Sequence, residues 1–317
     1  MSAATLRIGT RASQLALWQA QRVRELLHSQ PGAPAVELVH IRTQGDQQRD
    51  VPLWRVGGRA FFTREIDQAL LAGEIDVAVH SLKDLPTQLE PGIALAATLV
   101  RADPRDALVS RSGAGLERLP QGARIGTSSL RRRAFIARTR PDAQLVDLRG
   151  NVPTRLERLQ AGDYDAIVLA AAGLERLGLA AEITERLAPE QFPPAVSQGI
   201  IGVCARAGDA AVLKWLSPLD DGDSRLAASA ERALLKRIEG GCQVPLGALA
   251  TVSHGRVRLE ASVCALDGTR CLQARGSAGA SGAEAQALGE RLADELLAQG
   301  AAELIAAERG ALAVAAP

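Results

Sequence analysis

Aromatic side chains are scarce in this chain, with four Phe, three Trp and one Tyr among 317 residues. Proteins that hold nucleic acid need stacking faces and a net basic field. Here Lys+Arg 37 balance Asp+Glu 36 to leave a formal charge of +1, so nucleic acid is not an expected partner. Lysine is scarcer still, limited to Lys83, Lys214 and Lys236, and the other 34 basic residues are arginine. Much of that skew is compositional, yet at a loop that must grip carboxylates arginine supplies a planar, always-charged fork that lysine cannot copy. Cysteine is limited to Cys204, Cys242, Cys264 and Cys271 without C-x-x-C spacing, and the four histidines form no H-E-x-x-H. Neither a metal centre nor a disulfide framework is expected. No apolar run is long enough to span a bilayer, and the start of the chain shows no basic region followed by an apolar core. The expectation is therefore a soluble, cytoplasmic protein without a membrane partner. What is plentiful is apolar residue, at 47%, and the length suits two or three domains.

An internal repeat organises the first two-thirds. Arg7-Ile8-Gly9-Thr10-Arg11-Ala12-Ser13 is echoed by Arg124-Ile125-Gly126-Thr127-Ser128-Ser129-Leu130. Each reads as a short strand, a Gly-Thr turn and a helix. Val39–Arg42 is echoed by Val146–Arg149, and Gly73–Val79 by Gly162–Val168, in the same order. Two similar α/β units follow, with nearly all-apolar strands at Asp76–Val79 and Ala166–Leu169 suited to central sheets covered on both faces. After Pro218 the pattern changes to a helix from about Ser224 to Ile238, alternating segments at Leu249–Val252, Val257–Val263 and Cys271–Ala274, and one long helix from about Ala283 to Ala307. This predicts a smaller α+β domain, with a frayed Ala-rich end after Gly310.

In open α/β sheets, ligands bind at the carboxyl ends of the strands, beside helix N-termini. Those loops are loaded with anion binders: Thr10, Arg11 and Ser13 in one unit, Thr127, Ser128, Ser129, Arg131 and Arg132 in the other, and Arg149-Gly150-Asn151 with Thr154-Arg155. Arg133, Arg138 and Arg140 read as solvated helix face. In His80-Ser81-Leu82-Lys83-Asp84-Leu85-Pro86, Asp84 either caps a turn or stabilises a positive charge developing in the cleft, and Lys83 either faces solvent or binds a carboxylate. In Glu239-Gly240-Gly241-Cys242-Gln243-Val244-Pro245, paired glycines display Cys242 as a reactive sulfur, or the cysteine merely fills a tight turn.

Together, Arg7-Ile8-Gly9-Thr10-Arg11-x-Ser13, Gly45-Asp46, His80-Ser81-x-Lys83-Asp84, Gly126–Arg132, Leu148–Val152, Gln198-Gly199 and Glu239–Cys242 closely resemble the porphobilinogen deaminase (hydroxymethylbilane synthase) family. The resemblance implies two periplasmic-binding-protein-like α/β domains plus a smaller C-terminal α+β domain, at residues 1–100 with 198–218, 101–197 and 219–317. It implies head-to-tail condensation of four porphobilinogen molecules into linear hydroxymethylbilane with loss of four ammonia, for haem and other tetrapyrrole biosynthesis. It also implies a dipyrromethane cofactor in thioether linkage to Cys242, Asp84 as catalytic carboxylate, and a monomer. By motif position, Lys83, Asp84, Thr127, Ser129, Arg131, Arg132, Gly150, Arg155 and Gly199 are assigned to the cofactor. Arg11, Ser13, Gln19, Phe62, Arg149, Arg155 and Arg176 are assigned to substrate. The chain departs from the family pattern at Arg55 and Arg59, where lysine is common, and at Asp220–Ser224, which puts the packing of the third domain in question. An anion-binding module without Asp84 or Cys242 chemistry, and a relative that loads its cofactor but turns over poorly, are the rival readings.

Overall fold

The echoed Arg-Ile-Gly-Thr segments form equivalent strands in a computed structural model that describes residues 5–43, 63–238 and 244–314. In the first lobe β1 (Leu6–Thr10) lies parallel between β2 (Val36–His40) and β3 (Val77–Ser81). In the second, β6 (Arg124–Gly126) lies parallel between β7 (Gln144–Val146) and β8 (Ala166–Ala170). The registers coincide, since Ile8 pairs with Val77 as Ile125 pairs with Ala166. The glycines recur for a packing reason: a Cβ at Gly9 would strike the Ile75 side chain, and one at Gly126 would stand 2.9 Å from the equivalent Tyr164 ring.

Each lobe takes its fourth strand from across the molecule. β10 (Ile201–Arg206) runs antiparallel between β3 and β4 (Ile93–Thr98), giving the sheet order β2-β1-β3-β10-β4. β5 (Asp106–Ser110) runs antiparallel between β8 and β9 (Glu185–Arg186), giving β7-β6-β8-β5-β9. The chain therefore crosses between lobes twice, and the crossings touch: Ala102 N donates to Gly199 O at 3.1 Å. Gly199 has φ +91, and a Cβ there would lie 2.5 Å from Ala102 O, so only glycine lets the segments approach.

Polar side chains cap the helices that follow β1, β6 and β7. Ser13 caps α1 (Gln14–His28), Ser129 caps α3 (Leu130–Thr139) and Asn151 caps α4 (Val152–Gln160), whereas α2 (Arg64–Leu71) and α5 (Ala171–Arg176) have no side-chain cap. Asp209 caps α6 (Ala210–Leu216) behind the first sheet. The third unit is an antiparallel sheet of β11 (Leu246–Ser253), β12 (Arg256–Cys264) and β13 (Cys271–Gly279), packed on α7 (Gly222–Arg237) and α8 (Gly282–Ala298).

The single long C-terminal helix expected from the Ala/Leu/Glu pattern is two helices, because Gly300 at φ +96 ends α8 and α9 (Ala301–Val314) begins afresh. α9 also continues past Gly310 where fraying was expected, in keeping with the high helix propensity of alanine. The altered Asp220–Ser224 stretch packs without loss: Asp220 accepts from Thr98 N at 2.6 Å, Thr98 Oγ1 at 2.8 Å and Arg225, and Asp221 caps α7. Cys264 and Cys271 pair in register across the β12–β13 hairpin as free thiols, and Cys204 is buried in the first lobe's core.

Candidate active site

β3 ends in a 3-10 turn over Leu82–Asp84 that carries Lys83 and Asp84. Lys83 Nζ donates to Gln198 Oε1 at 3.2 Å, so a lysine of the first lobe is tied to the second crossing segment. Gln198 Nε2 in turn donates to Asp106 Oδ1 at 2.9 Å and to Pro104 O at 2.8 Å on the first crossing. From the opposite lobe, α3 contributes both of its first arginines. Arg131 Nη1 donates to Asp106 Oδ2 at 2.7 Å, and Arg132 donates to Asp106 Oδ1 from Nη2 at 2.8 Å and Nε at 3.1 Å. Asp106 is fully buried, and the two guanidiniums hold its carboxyl well below the usual carboxylate range. The result is one polar cluster of Lys83, Gln198, Asp106, Arg131 and Arg132 spanning both lobes and both crossings.

Charge is compressed there. Burial pulls Lys83 down to about 8, Asp84 and Asp106 oppose that shift, and Arg132 and Arg131 add to it. Arg155 is drawn down to about 10, first by burial and then by Arg132 and Arg149, with Asp84 opposing. Lys83, Arg131, Arg132 and Arg155 thus feel one another, with Asp84 and Asp106 as the carboxylates among them. Such a site holds surplus positive charge that a polycarboxylate would neutralise. Arg155 Nε donates to Gly150 O at 2.8 Å, where Gly150 at φ +105 turns the loop into α4.

Besides Arg155, five of the sequence-expected substrate residues are described: Arg11, Ser13, Gln19, Arg149 and Arg176. Ser13 spends its hydroxyl oxygen capping α1, and Gln19 Nε2 on the same helix donates to Ser81 Oγ at 2.8 Å. Arg11 lies close enough to the buried His80 to help burial hold that imidazole down at about 4, so His80 is neutral at physiological pH. Arg149 stands at the start of the loop into α4, its guanidinium lowered by burial. Arg176, at the end of α5, donates to Gly199 O at 2.6 Å and sits 5.7 Å from the Trp18 ring centroid. Thr127 is buried and its Oγ1 accepts from Ser129 N at 3.3 Å. Cys242 and Phe62, with Gly45, Asp46, Arg55 and Arg59, lie outside the described residues.

Arg140 is no solvated surface charge: it pairs with Asp142 at 2.7 Å and donates to the carbonyls of Leu116, Leu119 and Pro120, closing the end of α3. Arg131 and Arg132, read from their loop position as simple anion grips, are almost fully buried and already share Asp106. Sequence reasoning missed Asp106, which belongs to no motif, and Trp18.

The third domain reaches the same region. Glu231 on α7 is fully buried, paired with Arg101 at 2.6 Å, and accepts from Ser197 N at 2.5 Å and Ala250 N at 2.7 Å. Its neighbour Arg232 donates to Leu85 O and Pro86 O, directly after Asp84. The helix that leads to residues 239–243 is therefore anchored on the Asp84 turn.

Two family models together cover most of the chain. The model for "porphobilinogen deaminase, dipyromethane cofactor binding domain" matches residues 6–214, and that for "porphobilinogen deaminase, C-terminal domain" matches residues 225–298. A porphobilinogen deaminase of Roseiflexus sp. strain RS-1 is 53% identical over 302 residues, covering 95% of this chain and 99% of the relative. One from Syntrophotalea carbinolica is 49% identical, covering 97% of each. Among solved structures, a nutrient binding protein from Burkholderia cenocepacia bound to methionine aligns with 67% of this chain and 89% of its own at TM-score 0.41 and 15% identity. The chain, built of two lobes that exchange strands around a cationic cluster and a third unit that closes on the Asp84 turn, belongs to the porphobilinogen deaminase family.

Proposed function

We propose that the cluster of Lys83, Arg131, Arg132 and Arg155 around Asp84 is the cup in which a dipyrromethane attached to Cys242 is held while four porphobilinogen molecules are condensed. The observation that carries this reading is the surplus of partly desolvated cations at one site. Two porphobilinogen units bear four carboxylates, and the donor set fits such a group. When bound, the cofactor supplies a nucleophilic pyrrole α-carbon as primer. The chain's residues do the rest. Lys83, Arg131, Arg132 and Arg155, with Thr127, Ser129, Gly150 and Gly199, bind and orient it. Arg11, Ser13, Gln19, Phe62, Arg149, Arg155 and Arg176 receive the carboxylates and ring of incoming porphobilinogen.

Loss of ammonia from the aminomethyl group leaves positive charge shared by the substrate's pyrrole nitrogen. Asp84 stabilises that charge as it forms and takes part in proton transfer at the nitrogen. Cys242 follows α7, whose Arg232 rests on the Asp84 turn, and the five residues of helix beyond it, Ala233 to Arg237, rise only ~8 Å, which favours a short tether. The domain division is 1–100 with 198–218, 101–197 and 219–317, and the working unit is a cytoplasmic monomer without a nucleic-acid partner. Among the described residues no helix is long and apolar enough to cross a membrane.

The test separates loading from turnover. Asp84→Asn should carry the full cofactor mass yet turn over at least about 100-fold more slowly, whereas Cys242→Ser should gain no stable adduct. Normal steady-state turnover by Asp84→Asn would remove the charge-stabilising role.

A further inference from the structure

Asp106 is the first residue of β5, immediately after the first crossing, and Gln198 lies on the second. The carboxylate accepts four hydrogen bonds, from Arg131, from Arg132 twice, both at the start of α3, and from Gln198 on the distant second crossing. Gln198 has both ends of its amide engaged, accepting from Lys83 and donating to Asp106. Asp106 thus stands among three crowded cations, with Asp84 the other carboxylate felt by Lys83. It is enough to hold them in place and too little to neutralise them. A guanidinium offers five N–H donors. Among the described residues Arg131 donates to Asp106 and Pro193 O, and Arg132 to Asp106 and Val168 O, which leaves each with N–H donors that a ligand carboxylate could use.

We infer that Asp106 is the positioning residue for cofactor uptake, fixing Arg131 and Arg132 directly and Lys83 through Gln198, so that the cup is assembled before any ligand carboxylate arrives. The inference rests on the reading of this cup as the cofactor site. Without Asp106 the cations would repel one another in a poorly solvated space, and their geometry would have to be organised by the ligand itself. Preorganisation of this kind speeds uptake.

The experiment uses full-length, cofactor-free protein incubated with porphobilinogen, with loading followed by intact mass and folding by thermal melting. Asp106→Asn is expected to slow loading about 10- to 100-fold, with KM for porphobilinogen in the loaded fraction within about twofold of the parent. An amide cannot accept at both positions, so at least one arginine is released. Adding Gln198→Glu returns a carboxylate between Lys83 and the arginines and should recover about tenfold of the loading rate. A merely structural aspartate predicts a lower melting temperature and no such rescue. Should Asp106→Asn not fold, Gln198→Met leaves both ion pairs intact and severs the Lys83 bridge together with the bond to Pro104 O; it should slow loading about threefold or more, and unchanged loading overturns the bridge. Arg131→Leu separates the two levels of the claim. If it fails to load while Asp106→Asn loads at the parent rate, the role of Asp106 is refuted and the cup reading survives. If Arg131→Leu also loads normally, the cup reading fails and the inference falls with it.

Discussion

Lys83 is the member of the cup whose charge can be switched off without mutation. Burial brings its ammonium from 10.5 to about 8, so in the cofactor-free chain about half of it is charged at pH 8 and about one-tenth at pH 9. A neutral amine still offers hydrogen bonds but no longer attracts a carboxylate. Loading with porphobilinogen should therefore slow about five- to tenfold between pH 7 and 9. Once ligand carboxylates are in place they favour the charged lysine, so steady-state turnover of the loaded enzyme should not show this limb. The sign of the stability effect separates the decline from unfolding. Between about pH 8 and 10.5 the unfolded chain holds the proton that the folded chain has lost, so Lys83's own contribution to stability rises with pH. Lys83→Arg keeps its charge throughout and should load more slowly in absolute terms with a flat profile over this range. Timed intact-mass measurements on both proteins read the result. A flat profile in the parent, or an equal fall in Lys83→Arg, would refute the reasoning.

Glu231→Gln should break the buried junction of Arg101, Ser197 and Ala250 at a cost of about 3–5 kcal/mol, lowering the melting temperature by roughly 6 to 12 °C; an unchanged melt by calorimetry would show that the junction contributes nothing. Brief alkylation near neutral pH with peptide mapping should label Cys271 ahead of Cys204 and Cys264. The neighbouring Cys264, in register across the hairpin, holds the half-buried Cys271 thiol below its usual range and is itself raised by that pairing and by burial, while burial pushes Cys204 up to about 12. Cys264→Ala should slow the labelling of Cys271, and faster labelling would contradict the pairing.

The doubled α/β layout was legible because its signal is local: the same strand, Gly-Thr turn and capped helix occur twice, and Gly9 and Gly126 meet equivalent obstacles. The exchange of β5 and β10 between lobes follows from no local pattern. In the sequence Ile201–Arg206 is simply an apolar run, and its place between β3 and β4 is set by tertiary pairing. Gly300 was overlooked because Ala, Leu and Glu on either side sustain a helical period, while a backbone at φ +96 leaves no trace beyond the glycine itself. Arg140 read as surface because convergence of the Leu116, Leu119 and Pro120 carbonyls on one guanidinium depends on a loop folding back. Within the site, Lys83, Asp84 and the α3 arginines were marked by strand ends and helix starts. Asp106 was not, since a single aspartate opening a strand looks like any other until its two arginines and Gln198 close around it.

The central claim is that this chain carries a covalent primer on Cys242 within an arginine-lined cup. It is tested most directly by the intact mass of the denatured, purified chain with peptide mapping around Cys242. The account predicts the added mass of two deaminated porphobilinogen units on that peptide alone. An unmodified chain that stays unmodified after incubation with porphobilinogen would contradict it and favour a module that merely binds an anion.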